Sequence, residues 1–231
     1  MLELSDVHTF YGESHILKGV SFNIKKGEVV TLLGRNGMGK STTVKTIMGI
    51  LHPRSGTIRF KGKNIVGLTP HEIARLGIGY VPEERRIFPS LSVIENLTFA
   101  VWGIGQEGWS IEKIFHFFPR LKERTNNKGS QLSGGEQQML AIARIIRAKI
   151  DLIILDEPTE GLAPIIVKNI KEILEEMKKE GTTILLIEQN IKFAEMLADK
   201  HNILYDGKVV YTGENEKFQK DFRAQKKYLG I

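Results

Sequence analysis

The chain has 231 residues, with 33 lysines and arginines against 27 aspartates and glutamates for a net charge of +6, and 41% of it is apolar; a chain of this length buries a self-sufficient core as one compact domain. It contains no cysteine, which excludes a disulfide scaffold, thiolate chemistry and cysteine-based zinc sites. The longest stretch free of Asp, Glu, Lys and Arg runs from Asn96 to Gln106, about half of the ~20 apolar residues that span a bilayer, and MLELSDVHTFYG at the start carries no basic segment followed by an apolar one, so neither a transmembrane helix nor an export signal is expected.

In chain order, Val29 to Leu33 is a nearly all-apolar run ending at Gly34, the pattern of a parallel strand buried on both faces. Behind it, Gly34-Arg35-Asn36-Gly37-Met38-Gly39-Lys40-Ser41 fits G-x-x-x-x-G-K-S, and Val44, Ile47, Met48 and Leu51 then recur at helical spacing. Strand, glycine loop and helix in that order form a phosphate cradle: the glycines aim backbone N–H groups at phosphate oxygens and the helix N-terminus adds partial positive charge. Lys40 is placed to reach the β- and γ-phosphates of a nucleotide, and Ser41 to ligate Mg2+. Ile58 and Phe60 alternate with Arg59 and Lys61 as in an antiparallel strand.

Thr69-Pro70-His71-Glu72, Ser92-Val93-Ile94-Glu95 and Ser133-Gly134-Gly135-Glu136 each match the capping box that opens helices. From about Leu91 to Ala148 the signals are mostly helical, which predicts a helical arm inserted in an α/β core. Phe115, Phe117 and Phe118 with Ile111 and Ile114 read as packing for that arm, whereas Trp102 and Trp109 flank a glycine-rich stretch with no clear place. A cap would account for Ser133 and Glu136 but not for both glycines between them. Leu152 to Leu155 is a second buried strand, and it delivers Asp156 and Glu157 to the sheet's C-terminal edge, where ligands of open α/β sheets collect. Asp156 is expected to hold Mg2+ through water, and Glu157 to orient or deprotonate an attacking water. Ile166, Ile170, Ile173, Leu174 and Met177 then line one helix face, Thr183 to Ile187 forms a third buried strand, and Asp206-Gly207 joins two short apolar runs as a hairpin turn. The six histidines show no ligand spacing.

Gln131-Leu132-Ser133-Gly134-Gly135-Glu136-Gln137-Gln138 resembles the LSGGE signature of the ATP-binding cassette (ABC) ATPases, and with the phosphate loop and Asp156-Glu157 the resemblance runs from about Leu2 to Gly213. It implies a single nucleotide-binding domain over residues 1–231, α/β in class: a P-loop core with a mixed sheet, an antiparallel N-terminal part, and a helical subdomain at about 91–148. It further implies ATP and Mg2+ as cofactors, and a head-to-tail dimer in which Ser133, Gly134 and Gly135 face the γ-phosphate of the partner's ATP. Tyr11 matches the aromatic that stacks on adenine, Gly34, Asn36, Gly37, Gly39, Lys40, Ser41 and Thr42 the phosphate loop, and Glu157, Gln189 and Lys40 the catalytic set. Ser41 and Asp156 match the metal positions. Glu83 stands where a glutamine usually senses Mg2+ and the permease, Gln189 where a histidine usually contacts the γ-phosphate, and Ala163 where an aspartate is usual.

Those departures, together with Val81 to Pro89, Phe118-Pro119-Arg120-Leu121-Lys122-Glu123-Arg124 and Asp156 to Pro164, resemble one subgroup, the second ATPase subunit of branched-chain amino acid importers. The resemblance implies transmembrane permease subunits and a second ATPase subunit, sister or self, as partners, no nucleic acid, and a cytoplasmic place on the inner face of the membrane. Arg85 and Arg86 are either a solvated pair or a permease contact. Urea or amide uptake and a soluble, non-transport ABC ATPase are the alternatives; the single cassette and the absence of heptads between Ser41 and Ser133 count against the latter.

Overall fold

A computed structural model describes residues 1–104 and 107–230, without the side chains of residues 100 and 102–104. Strands β1 (Leu2–Tyr11) and β2 (Ser14–Ile24) form a hairpin, β3 (Val29–Leu33) leads through the glycine loop into α1 (Lys40–Ile47), and β4 (Ser55–Phe60), β5 (Lys63–Asn64), α2 (Pro70–Arg75) and β6 (Ile78–Val81) follow. Four helices come next, α3 (Val93–Ile104), α4 (Ile111–Phe117), α5 (Pro119–Glu123) and α6 (Gly134–Arg147). The chain then alternates through β7 (Leu152–Asp156), α7 (Pro164–Lys179), β8 (Thr183–Glu188), α8 (Ile191–Leu197), β9 (Lys200–Tyr205) and β10 (Lys208–Glu214) before the short α9 (Asn215–Phe218), α10 (Phe222–Ala224) and a π turn over Gln225–Leu229.

The strands make two sheets. One is antiparallel, in the order β2-β1-β4-β5; the other runs β10-β9-β3-β8-β7-β6 and is parallel except for the β9–β10 hairpin. That hairpin turns at Asp206-Gly207, both with positive φ, the twist that a two-residue connection needs. Successive residues of the buried strands serve opposite faces. Ile153, Leu155, Ile184 and Leu186 pack with Ile170, Ile173, Met139 and Leu140, while Ile154, Leu185 and Ile187 pack with Val44, Ile47 and the apolar side of the antiparallel sheet. Each fully buried Val, Leu or Ile contributes roughly 1.5–3 kcal/mol relative to exposure, and this sheet buries such residues on both faces.

The helical arm has no core of its own. Val93, Leu97, Ile114, Phe118, Leu121 and Leu132 belong to the same cluster as Leu155, Ile170 and Leu186, with Phe115 and Phe117 packed at its margin. Of the two tryptophans, Trp109 is buried and its indole N–H donates to Glu180 at 2.6 Å; the side chain of Trp102 lies outside the described residues. The capping boxes at Thr69, Ser92 and Ser133 all form: in each the backbone N–H donates to the Glu carboxylate three residues on, at 2.8, 2.7 and 2.7 Å.

Candidate active site

Register decides which loops meet. Leu33 pairs with Glu188 and Asp156 with Ile187, so β3, β8 and β7 end together and put the glycine loop, Gln189 and Asp156-Glu157 on one sheet edge. Gly39, with φ +104, is the N-cap of α1, a backbone state that glycine adopts at no cost. A Cβ on Gly34 would run into the Leu204 carbonyl. The loop therefore needs both, one for conformation and one for space.

Tyr11, Asn36, Gly37, Gly39, Lys40, Ser41, Thr42, Glu83 and Glu157 line one open cleft of about 420 Å³, joined by Ile16 and Glu160. Lys40 is only 4% exposed. Its Nζ donates to the Gly34 and Arg35 carbonyls at 2.8 and 3.2 Å and lies 3.2 Å from Glu157 Oε1. Glu157 has φ +49, and this turn points its carboxylate into the cleft while the preceding residue stays beneath. Gln189 Nε2 donates both to Glu157 Oε2 at 2.7 Å and to Asn36 Oδ1 at 2.8 Å. One amide thus ties its own loop to the other two.

Asp156 is 2% exposed. Its Oδ2 accepts from the Tyr80 hydroxyl at 3.4 Å and its Oδ1 has no hydrogen-bond partner. Burial first, and the neighbouring Glu157 charge second, push its carboxyl up from 3.8 to about 6. A buried carboxylate oxygen without a hydrogen-bond partner, on a carboxyl whose charge the Ser41 hydroxyl also favours, is a group that a hard divalent cation satisfies. Among the described residues no three His, Cys, Asp or Glu side chains form a ready metal cluster.

Burial works to raise Glu157, but hydrogen bonding with Glu160, Gln189 and Lys40 outweighs it and holds this carboxyl below its usual range. The proton falls to Glu160 instead: its contact with Glu157, then burial, push it up to about 7. Nothing in the local sequence around Glu160 distinguishes it from a solvated turn residue. Glu188 was equally silent. It is buried, accepts from Thr159 Oγ1 at 2.6 Å and from the backbone of Gln189 and Asn190 at 3.1 Å each, and so fixes the turn that carries Gln189.

Ser133, Gly134 and Gly135 are not among the residues lining the cleft; they open α6 on the helical arm, where the first-turn N–H groups of both glycines lack intrahelical acceptors. The two glycines, which a helix cap does not account for, also have neighbours within the chain. A Cβ on Gly134 would stand 3.0 Å from the Arg85 guanidinium, and one on Gly135 3.1 Å from Ile166. Arg85 therefore packs on the signature helix rather than standing as part of a solvated pair, and the Arg86 carbonyl accepts from Arg144 of the same helix at 2.9 Å. Two of the histidines assumed to be scattered also meet: His8 Nδ1 and His15 Nε2 are 3.0 Å apart across the β1–β2 hairpin, with Asp6 3.0 Å beyond.

A glycine loop at a helix start, a buried aspartate and a turned-out glutamate at adjoining strand ends define a P-loop nucleotide-binding site. The sequence profile described as ABC transporter matches residues 17–160. The chain is 43% identical, over 100% of both chains, to the high-affinity branched-chain amino acid transport ATP-binding protein BraG of Pseudomonas aeruginosa, and 37% identical, over 95% of this chain and 97% of the other, to the probable branched-chain amino acid transport ATP-binding protein LivF of Archaeoglobus fulgidus. A dimeric ATP-binding cassette in a post-hydrolysis state with ADP and Pi superposes with a TM-score of 0.83 at 27% identity, covering 93% of this chain and 99% of that one. A nucleotide-free cassette from an ABC transporter gives 0.85 at 26% identity, over 99% and 97%. The chain belongs to the ABC transporter family, and it is an ATPase of the P-loop cassette fold.

Proposed function

We propose that this chain is the ATP-hydrolysing subunit of a branched-chain amino acid importer, working on the inner face of the membrane as one half of a head-to-tail dimer. The observation that carries this reading is the 43% identity to BraG along the whole length of both chains, on a fold whose catalytic edge is intact. Among the described residues no helix is long and apolar enough to cross a membrane, so the permease is a separate polypeptide in this reading.

Within the site, Tyr11 would stack on the adenine and the loop from Gly34 to Thr42 would wrap the phosphates, with Lys40 moving from the Gly34 and Arg35 carbonyls onto the β- and γ-oxygens. Ser41, and Asp156 through water, would hold Mg2+, with Glu83 at the cleft wall; bound there, the ion offsets phosphate charge. Glu157 accepts the proton of the attacking water, and Gln189, which already touches Glu157, donates to the γ-phosphate without being able to titrate. Ser133, Gly134 and Gly135 would close the partner's site with their free N–H groups.

An apolar groove of about 350 Å³ between the sheet and the arm, lined in part by Met48, Tyr80, Phe88, Phe99, Arg144 and Ile145, supports the permease contact. Arg144 Nη1 is buried there without a partner, which suits an apolar segment carrying an acidic residue.

Co-expression with a candidate permease, recovery from membranes and reconstitution tests the reading. Hydrolysis should rise when the cognate binding protein delivers leucine, isoleucine or valine. Stimulation by an amide or urea alone would replace the solute, and failure to associate with any permease would overturn the transport role.

A further inference from the structure

The chain does not stop at the last strand of the sheet. After β10 an arm of residues 215–230 turns back toward the catalytic edge. Its root is Asn215, whose Oδ1 is 2.9 Å from His201 Nε2 on β9 and whose Nδ2 donates to the Glu195 carbonyl of α8 at 2.9 Å. Phe218 is fully buried and stacks on the His201 ring with centroids 4.3 Å apart. Gln225 is buried and donates to the Phe218 carbonyl at 2.7 Å. From there Ala224, Tyr228 and Leu229 pack against Leu33, Ala194 and Ile203, while Phe222, Arg223, Lys226 and Lys227 face outward. This is a one-sided helical pattern whose inner face ends at Leu229.

Leu229 shares a small cavity of about 80 Å³ with Gly34, Arg35, Glu188, Gln189 and Ile191. It is thus the side chain that the arm brings to the turn between β8 and α8, beside the start of the phosphate loop. The arm holds α8 at the Glu195 carbonyl through Asn215, and Leu229 and Ile191 pack on the same small cluster of Leu33, Ala194, Ile203 and Phe218 and line the same cavity. Gln189 itself is exposed, so its aim at Glu157 and Asn36 depends on the backbone under it. Trimming the half-buried Leu229 enlarges the space beneath that turn and gives it room to settle elsewhere.

We propose that Leu229 is a positioning residue for Gln189: the C-terminal arm bounds from below the turn that Glu188 hydrogen-bonds, keeps it from settling away from Glu157, and so sets the rate of hydrolysis without taking part in nucleotide binding. The inference rests on the reading of Gln189 as a γ-phosphate and Glu157 contact.

Steady-state hydrolysis on the full chain tests it. Leu229→Ala should lower kcat by about tenfold, the scale of a sub-ångström to 1 Å displacement of a catalytic group, with KM for ATP within about twofold of the parent. Leu229→Met, which refills the volume, should restore kcat. In a Gln189→Ala background Leu229→Ala should have no further effect, because the group it positions is gone. If Leu229→Ala does not fold, Leu229→Val, which removes one methylene, carries the same expectations with a smaller fall. A parental kcat, a KM that rises in step with the loss, or an equal fall in the Gln189→Ala background would overturn the proposal. A slow Gln189→Ala protein beside an unaffected Leu229→Ala protein would overturn it alone, whereas a Gln189→Ala protein as fast as the parent would overturn the assignment of Gln189 beneath it.

Discussion

Lys40 Nζ lies 3.2 Å from Glu157 Oε1, with side-chain exposures of 4% and 9%, so the cation and the carboxylate of the cleft hold each other. A buried pair of this kind is costly to break from one side, since the remaining charge is left without a partner. The two side chains therefore neutralise each other, and in the proposed reading a triphosphate exchanges one anion for another around Lys40.

From this pairing, Glu157→Gln should fold and bind ATP, because the amide oxygen still accepts from Lys40, while hydrolysis falls by about 10² to 10⁴, the range for loss of a general base. With ATP and Mg2+ the variant should accumulate as a dimer, read by light scattering after size exclusion. Turnover at the parental rate would remove Glu157 from the mechanism.

Gln189 donates to Glu157 and Asn36 through the same nitrogen. Gln189→Ala should slow steady-state hydrolysis by about tenfold or more, the loss of one preorganised donor, and Gln189→His should retain activity, since imidazole can donate from the same turn. The two variants are also expected to differ in pH profile, the histidine acquiring a titration near neutrality that the glutamine lacks.

Asp156 has a folded-state pKa of about 6 against an ordinary 3.8. A carboxyl raised on folding binds its proton more tightly in the native state, so its contribution is fully present below the ordinary value and is lost as pH rises through about 6. In chelator, Asp156→Asn should therefore be more stable than the parent at neutral pH by up to about 3 kcal/mol, and the gap should close toward acid. Urea unfolding at several pH values reads this directly; a gap that widens on acidification would contradict the sign. The same variant should lose Mg2+-dependent hydrolysis.

Gly134 meets Arg85 within its own chain and is also assigned to a partner's phosphate. The two roles separate in a double variant. Gly134→Ala should cut hydrolysis by about 10² or more, as loss of a preorganised phosphate contact does, and Arg85→Ala, which makes room for the added methyl, should not rescue it. Rescue would mean that the glycine serves packing alone.

Much of this molecule is written in local patterns. Val29 to Leu33, Leu152 to Leu155 and Ile184 to Ile187 are apolar but for Thr31 because both faces of each strand are covered, and that signal survives in a short window. The phosphate loop is legible for a similar reason: a left-handed N-cap at Gly39 and a crowded Gly34 demand glycine at fixed offsets before Lys40. What could not be read were contacts made by residues whose own surroundings look ordinary. Glu160 owes its proton to Glu157, Arg85 its place to Gly134, and Glu188 its fit to Thr159.

The sequence by itself determined the covalent spacing of the chemistry: which strand carries which loop, and which residue types stand at each strand end. Only the tertiary structure decided that β3, β8 and β7 lie side by side in that order, because strand pairing is set by long-range burial rather than by neighbours along the chain. From that order follow the bridge from Gln189 to Asn36 and Glu157, the partnerless oxygen of Asp156, and the return of Leu229 to the turn beneath Gln189. A side chain's energy depends on what surrounds it in space, and for these residues most of those surroundings come from elsewhere in the chain.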